Sequence, residues 1–163
     1  MAEEVPVSET VIRRANRSDE PALLELAERM ANFDLPPWRS AAEITGADGR
    51  DMVNALRAGH EVHEVFLAEQ DGAVAGCLYV LVASDFFGRR HGHISVIATS
   101  AAAEGTGIGR ALMEHAELWA RERGLPLLTL NVFADNARAR RLYERSGFSV
   151  ELLKYVKELG ARS

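Results

Sequence analysis

At 163 residues, with 47% apolar and 26% charged side chains, the chain is sized and composed for one packed domain and not for a disordered polymer. Its net charge of −5 argues against a nucleic-acid surface, which shows as a basic domain, and agrees weakly with a cationic small partner. A single cysteine, Cys77, excludes an intrachain disulfide and fits a reducing compartment. The first residues carry no signal-peptide pattern, and the longest apolar run, Ala73 to Ala83, is too short for a membrane helix. The expectation is a cytoplasmic protein with no membrane or nucleic-acid partner. Residues 1–9 read as a flexible acidic tail and 10–163 as one domain.

Thr10 to Ala15 reads as a short first strand. Ser18 and Asp19 supply helix N-cap chemistry, Pro21 fits a first turn, and Leu23, Ala27, Met30 and Ala31 recur at helical spacing to about Asn32. Phe33 to Trp38, with two prolines, ends that helix in a loop that can wall a pocket or pack over the core. Gly46 and Gly49 interrupt the next stretch, so a helix is expected only over Asp51 to Ala58. Two apolar runs, Glu64 to Glu69 and Ala73 to Val82, flank Asp71-Gly72, the dipeptide of a type I′ hairpin. The second run is apolar on both faces and reads as a central, covered strand, with Cys77 buried in it.

A fourth strand follows over about His91 to Thr99, then a glycine-rich turn opens a helix whose buried stripe is Ile108, Leu112, Ala116, Trp119 and Ala120. Gly124 and Pro126 stop it. Leu127 to Phe133 reads as a buried strand, and a helix between two such strands implies a right-handed parallel crossover. Asn136 can cap a short last helix ended by Gly147, and Phe148 to Lys157 reads as a closing strand, or two with a bulge. The class is a single mixed α/β domain.

The turn Glu104-Gly105-Thr106-Gly107-Ile108-Gly109-Arg110 is the chemical focus. Glycines at a helix start let an anion approach backbone N–H groups at the positive end of the helix dipole. The alternative is a tight strand-to-helix connection with no ligand. A nucleotide-hydrolase loop would need Gly-Lys-Ser/Thr, and Gly109 is followed by Arg110-Ala111. A dinucleotide fingerprint would need a small residue near Arg110 or Leu112, and an acid where Leu130-Asn131-Val132 stands. No HExxH or Cys-x-x-Cys spacing occurs, so no metal is expected.

The arrangement resembles the GNAT superfamily of N-acetyltransferases. That family's acyl-CoA signature, Gln/Arg-x-x-Gly-x-Gly/Ala, lies in register with Glu104, Gly107 and Gly109, with Glu104 departing from the basic or amide residue. Its second signature, Asn-x-x-Ala-x-x-Leu-Tyr-x-x-x-Gly-Phe, stands complete as Asn136, Ala139, Leu142, Tyr143, Gly147 and Phe148. The resemblance implies a central mixed, mostly antiparallel sheet with a parallel splayed strand pair, flanked by about four helices. It implies acetyl-CoA as co-substrate and a primary amine as acceptor, attacking the thioester directly.

By that resemblance, the backbone of Ile97 and Thr99 pairs with the pantetheine arm and acetyl carbonyl. Gly105, Thr106, Gly107, Ile108, Gly109 and Arg110 cradle the pyrophosphate, with Asn136 and Tyr143 beside the cofactor. The Ile97 N–H would stabilise charge developing on the thioester oxygen. Tyr143 takes the place of the acid that protonates the departing thiolate; a phenol near ~10 facing a thiol near ~8.5 is a helper there, not a requirement. His93 occupies a position where some members carry a base, and an imidazole suits proton removal near neutrality. Asp85 and Glu64 are weaker candidates for that base. Arg138, Arg140, Arg141 and Arg145 form a basic helix face that would flank the CoA phosphates or solvent. A homodimer is common in the family. Two other readings stand beside the enzyme: a non-catalytic acyl-CoA-binding domain and, more distantly, an NAD-dependent oxidoreductase.

Overall fold

The computed structural model describes residues 8–160. Its five strands are β1 (Thr10–Arg14), β2 (His63–Gln70), β3 (Ala73–Ser84), β4 (Arg90–Thr99) and β5 (Leu128–Leu130). Four α-helices join them: α1 (Glu20–Ala27), α2 (Ala41–Arg57), α3 (Ile108–Glu122) and α4 (Ala137–Arg145). The sheet order follows the sequence, β1-β2-β3-β4-β5, antiparallel throughout except for the parallel pair β4–β5. A mixed α/β fold with one parallel pair is what the sequence leads one to expect.

The β2–β3 hairpin turns where Asp71 and Gly72 adopt positive φ of 51° and 80°, the I′ geometry that matches strand twist. The same turn anchors the chain's start: Ser8 Oγ donates to Asp71 Oδ2 at 2.7 Å, and the Glu9 N–H to Oδ1 at 3.0 Å. The rest of the tail expected over 1–9 lies outside the described residues. β3 sits in the middle of the sheet, and its side chains alternate between two cores. Leu78 and Val80 join Phe66, Ile94, Ile108, Leu112 and Trp119 beneath α3. Cys77 and Tyr79 join Leu23, Leu26, Met52, Leu67 and Val96 beneath α1 and α2. Cys77 is fully buried, and burial pushes its thiol up to about 12.

Three expectations need correction. The helix expected over Asp51 to Ala58 extends from Ala41 to Arg57. Ser40 caps it reciprocally, accepting from the Glu43 N–H at 3.2 Å while its own N–H donates to Glu43 Oε2 at 2.8 Å. Gly49 does not break the helix because it is a contact point: a Cβ there would come within 3.0 Å of Leu24 Cδ2 on α1. Close approach of the two helices offsets the helix-propensity cost of glycine, about 1 kcal/mol.

The strand expected over Leu127 to Phe133 shrinks to Leu128–Leu130, because its partner turns away. β3 pairs Tyr79 with Val96 and Val80 with Ile94, leaving Ser95 as an extra residue in β4. Parallel pairing with β5 ends at Ile94 and Leu130. The closing strand expected over Phe148 to Lys157 is absent, and residues 148–160 form no regular element. Alternating apolar residues make a strand only against a partner edge, and the three-residue β5 offers little of one. Leu152, Leu153, Tyr155 and Leu159 of this segment stand exposed.

Candidate functional site: the gap between β4 and β5

The bulge at Ser95 creates the site. Past Ile94 and Leu130 the two parallel strands no longer pair, and a gap opens toward the C-terminal end of β4. Ser100 N–H donates to the Ala75 carbonyl of β3 at 2.8 Å. Backbone polar groups alternate along a strand, so those of Thr99 and Ile97 point the other way, into the gap. They form a donor and acceptor row along one wall, in which the Thr99 carbonyl accepts from Arg29 Nε.

At the head of the gap lies the glycine turn. Gly105 and Gly107 take φ of 73° and 89°, left-handed values that other residues adopt only under strain. A Cβ on either would meet open space, so conformation demands these glycines and the approach to the backbone stays clear. The turn is internally tied, with Thr106 Oγ1 donating to the Ala103 carbonyl at 2.6 Å and Ala103 N–H to Ser100 Oγ at 3.2 Å. Gly107 is the N-cap of α3 and supplies no side-chain cap. The helix's first intrahelical bond runs from Ala111 N–H to Gly107 carbonyl at 3.0 Å. The N–H groups of Ile108, Gly109 and Arg110 therefore have no acceptor within the helix. By contrast, α2 is capped by Ser40 and α4 by Asn136, whose Oδ1 accepts from Ala139 N–H at 3.2 Å. This donor set fits an anionic phosphate group.

Asn136 is thus committed to capping α4. Arg110 turns along its own helix to Glu114 (Nε–Oε1 2.9 Å), both side chains largely exposed. Glu104, about a third of its side chain exposed, turns to two arginines. Its Oε1 accepts from Arg138 Nη1 at 2.7 Å and from Arg29 Nη2. These partners, Arg138 first, hold its carboxyl below the usual range. Arg29 also donates Nε to the Thr99 carbonyl at 3.4 Å. The sequence carries no signal for this cluster, because Arg29 meets Glu104 across 75 residues.

His93 lies on β4 opposite Thr129 of β5, in the last stretch where the strands still pair. Its Nδ1 is 2.8 Å from Thr129 Oγ1, which in turn approaches the Gly92 carbonyl at 3.4 Å. A hydroxyl donating to that carbonyl accepts from Nδ1–H, leaving the Nε2 lone pair available. Burial, and then the neighbouring His91, push the His93 pKa down, so the imidazole is neutral and basic at pH 7. Tyr143 on α4 packs edge-on to Phe148 at 6.2 Å and against the α3-side core. Burial raises its phenol to about 12.

The two weaker candidates for the base are otherwise employed. Asp85 Oδ1 accepts from Phe87 and Arg89 N–H, closing its own turn at 2.9 and 2.8 Å. Glu64 is buried under α3, with Oε2 accepting from Trp119 Nε1 at 2.5 Å and Arg123 Nη2 at 2.7 Å. Its Oε1 lies 2.7 Å from Arg14 Nε as an ionic contact, at an angle too poor for a hydrogen bond. On the far side of Arg29, a cavity of about 650 Å³ opens between α1, α2 and the ends of β3 and β4, with Glu25, Glu28, Asn32 and Thr45 in its wall.

Comparison with known proteins agrees with this geometry. Residues 24–148 match the acetyltransferase (GNAT) family. A mycothiol acetyltransferase of Amycolatopsis mediterranei (strain U-32) is 34% identical over 135 residues, 80% of this chain and 43% of the relative. One of Propionibacterium freudenreichii subsp. shermanii is 38% identical over 82 residues, half of this chain and 26% of the relative. The chain thus spans less than half the length of these curated relatives. Among solved structures, a ribosomal-protein-alanine N-acetyltransferase of Brucella melitensis biovar Abortus 2308 superposes with a TM-score of 0.68, covering 93% of this chain and all of that one at 22% identity. An aminoglycoside N-acetyltransferase in complex with CoA gives 0.69 at 18% identity, covering 95% and 99%. These two likenesses are of fold.

Proposed function

The chain belongs to the GNAT family of acetyltransferases, and from that premise we propose that it transfers the acetyl group of acetyl-CoA to a primary amine. The observation that carries the reading is the uncapped start of α3 at the head of the β4–β5 gap. Phosphate oxygens would accept from the N–H groups of Ile108, Gly109 and Arg110, with Gly105, Thr106 and Gly107 shaping the turn. Pantetheine would lie along Ile97 and Thr99. When bound, acetyl-CoA supplies the activated acyl group.

The chain's own residues then have three tasks. His93, neutral with Nε2 free, accepts the proton an ammonium must lose before it can attack. The Ile97 N–H faces the gap and donates to the thioester oxygen as charge develops there. Tyr143 changes role from the one the sequence suggests. At about 12 its phenol is a weaker acid than a CoA thiol near ~8.5, so it keeps its proton and donates a hydrogen bond to the leaving sulfur. No step calls for a metal.

The acceptor we propose is a small cationic amine, a choice supported by the net charge of −5. The sequence relatives are named for mycothiol acetylation, and that activity is one to test in this chain. A cytoplasmic location is supported by the single buried thiol. No helix among the described residues is long and apolar enough to cross a membrane. A homodimer is supported by the exposed apolar side chains of residues 150–159.

Acetyl-CoA is expected to raise the melting temperature, by the equivalent of about 2.7 kcal/mol at a hundredfold excess over Kd. A Gly107→Trp variant should lose that shift. Thiol release across polyamines, aminoglycosides, peptide N-termini and the mycothiol-pathway acceptor identifies the amine. Absence of any shift at millimolar acetyl-CoA sinks the reading. Tight binding without turnover on any amine points to a non-catalytic acyl-CoA-binding domain.

A further inference from the structure

We propose that Arg29 and Arg138 are ligands of the cofactor's phosphates, and that Glu104 is a placeholder holding both guanidinium groups at the mouth of the gap until phosphate displaces it. The inference rests on the acyl-CoA reading above and adds three residues to it.

The geometry of the cluster carries the argument. Arg29 comes from the turn after α1, Arg138 from the first turn of α4, and Glu104 from the loop before α3. Three separate elements therefore meet at the head of the gap. Both arginines converge on one oxygen, Oε1 of Glu104. A carboxylate serving one guanidinium frequently takes it as a two-oxygen fork, as Asp19 takes Arg13. Here a single oxygen is shared between two cations, the arrangement a phosphate oxygen takes. One carboxylate carries one charge against two, so the cluster keeps a net positive charge on the loop that leads into α3.

The cluster is also cheap to open. Glu104 has a third of its side chain exposed and Arg138 well over half, and ion pairs of that exposure contribute little. A pyrophosphate group offers more charge and more acceptor oxygens than the carboxylate it would replace. The exchange would reach further down the gap as well. Arg29 Nε rests on the Thr99 carbonyl, one of the groups that lines the pantetheine path. Moving the guanidinium from Glu104 to a phosphate would clear that carbonyl. The same step would bind the phosphates and open the wall beneath them.

The glutamate that departs from the family's signature then has an assignment. It holds two flexible arginines together on one oxygen in the free protein, at the cost of competing with the ligand.

Isothermal titration of the full chain, with CoA and separately with inorganic pyrophosphate, tests this in three proteins. Arg29→Gln/Arg138→Gln should bind both probes at least about tenfold more weakly than the unmodified chain. Glu104→Gln should bind both about three- to tenfold more tightly, since the arginines lose their competitor. Melting temperatures verify that each variant is folded. Unchanged affinities in the arginine variant, or weaker binding by Glu104→Gln, overturn the proposal while CoA binding by the unmodified chain leaves the acyl-CoA reading standing. Pyrophosphate binding that depends on the two arginines, with no CoA binding, supports the phosphate ligands and removes the acyl-CoA reading. If neither probe binds the unmodified chain, both fall.

Discussion

Two glutamates in this molecule are each gripped by two arginines, and they have opposite consequences. Glu64 lies under α3 with 1% of its side chain exposed, held by Arg14, Arg123 and Trp119. Arg123 also stacks 4.4 Å above the Trp119 ring. Glu104 sits at the mouth of the gap with 34% exposed, held by Arg29 and Arg138. The first carboxylate uses both oxygens and is covered on folding, at the floor of a cavity of about 210 Å³ that Arg14, Trp119 and Arg123 also line. The second spends one oxygen on two cations in contact with water, where exchange is easy. Burial, not the residue types, separates a structural cluster from an exchangeable one.

The largest effect is expected at the buried glutamate. Glu64→Ala should cost about 3 kcal/mol, because Arg123 and the buried Trp119 indole N–H lose the acceptor they share, while Arg14 stays in solvent. Denaturant unfolding reads this, and CoA affinity measured well below the melting temperature should stay within about twofold. A tightening like that expected for Glu104→Gln would erase the distinction between the two clusters.

Tyr143 stands between the extremes, mostly buried yet on the cofactor side. Tyr143→Phe should lower kcat about tenfold, roughly 1.4 kcal/mol, with KM little changed, as the loss of one hydrogen bond made to the leaving sulfur. Full turnover in that variant removes Tyr143 from the chemistry.

His93 tests whether a partly buried group can serve both fold and reaction through one proton. Its folded pKa lies below the ordinary 6.5, so its basic form is present at neutrality and activity should fall as pH drops through the depressed value. The sign for stability follows from the same shift. The unfolded chain takes up the proton first, so stability is full above about 6.5 and declines as pH falls below it. His93→Gln should remove the acid limb of the pH–rate profile and shallow the stability loss. His115, also depressed by burial, keeps part of that loss. An unchanged profile would exclude His93 as the base.

The smallest effect completes the comparison. Glu104→Gln should move the melting temperature by no more than about 2 °C, since exposed ion pairs add little. A drop as large as that of Glu64→Ala would make the mouth cluster structural.

The sequence alone determined most of the elements and the place of the candidate anion site. Asp71-Gly72 can turn only one way economically, the apolar run of β3 must be covered on both faces, and Gly105 and Gly107 mark a backbone left open to an anion. Each is a local property, written in neighbouring residues through positive φ, strand period or helix period. Tertiary structure decided the rest, because the deciding contacts join distant residues. Gly49 continues a helix because Leu24 packs against it. Ser95 opens the gap because β3 and β5 cannot both follow β4 past it. Residues 148–160 lack the long partner edge that would make their alternation a strand. Burial raises the Tyr143 phenol to about 12, a shift set by what packs around it and not by its neighbours in sequence. Glu104, which departs from pattern in sequence, acquires a partner only when α1 and α4 bring Arg29 and Arg138 to the same oxygen.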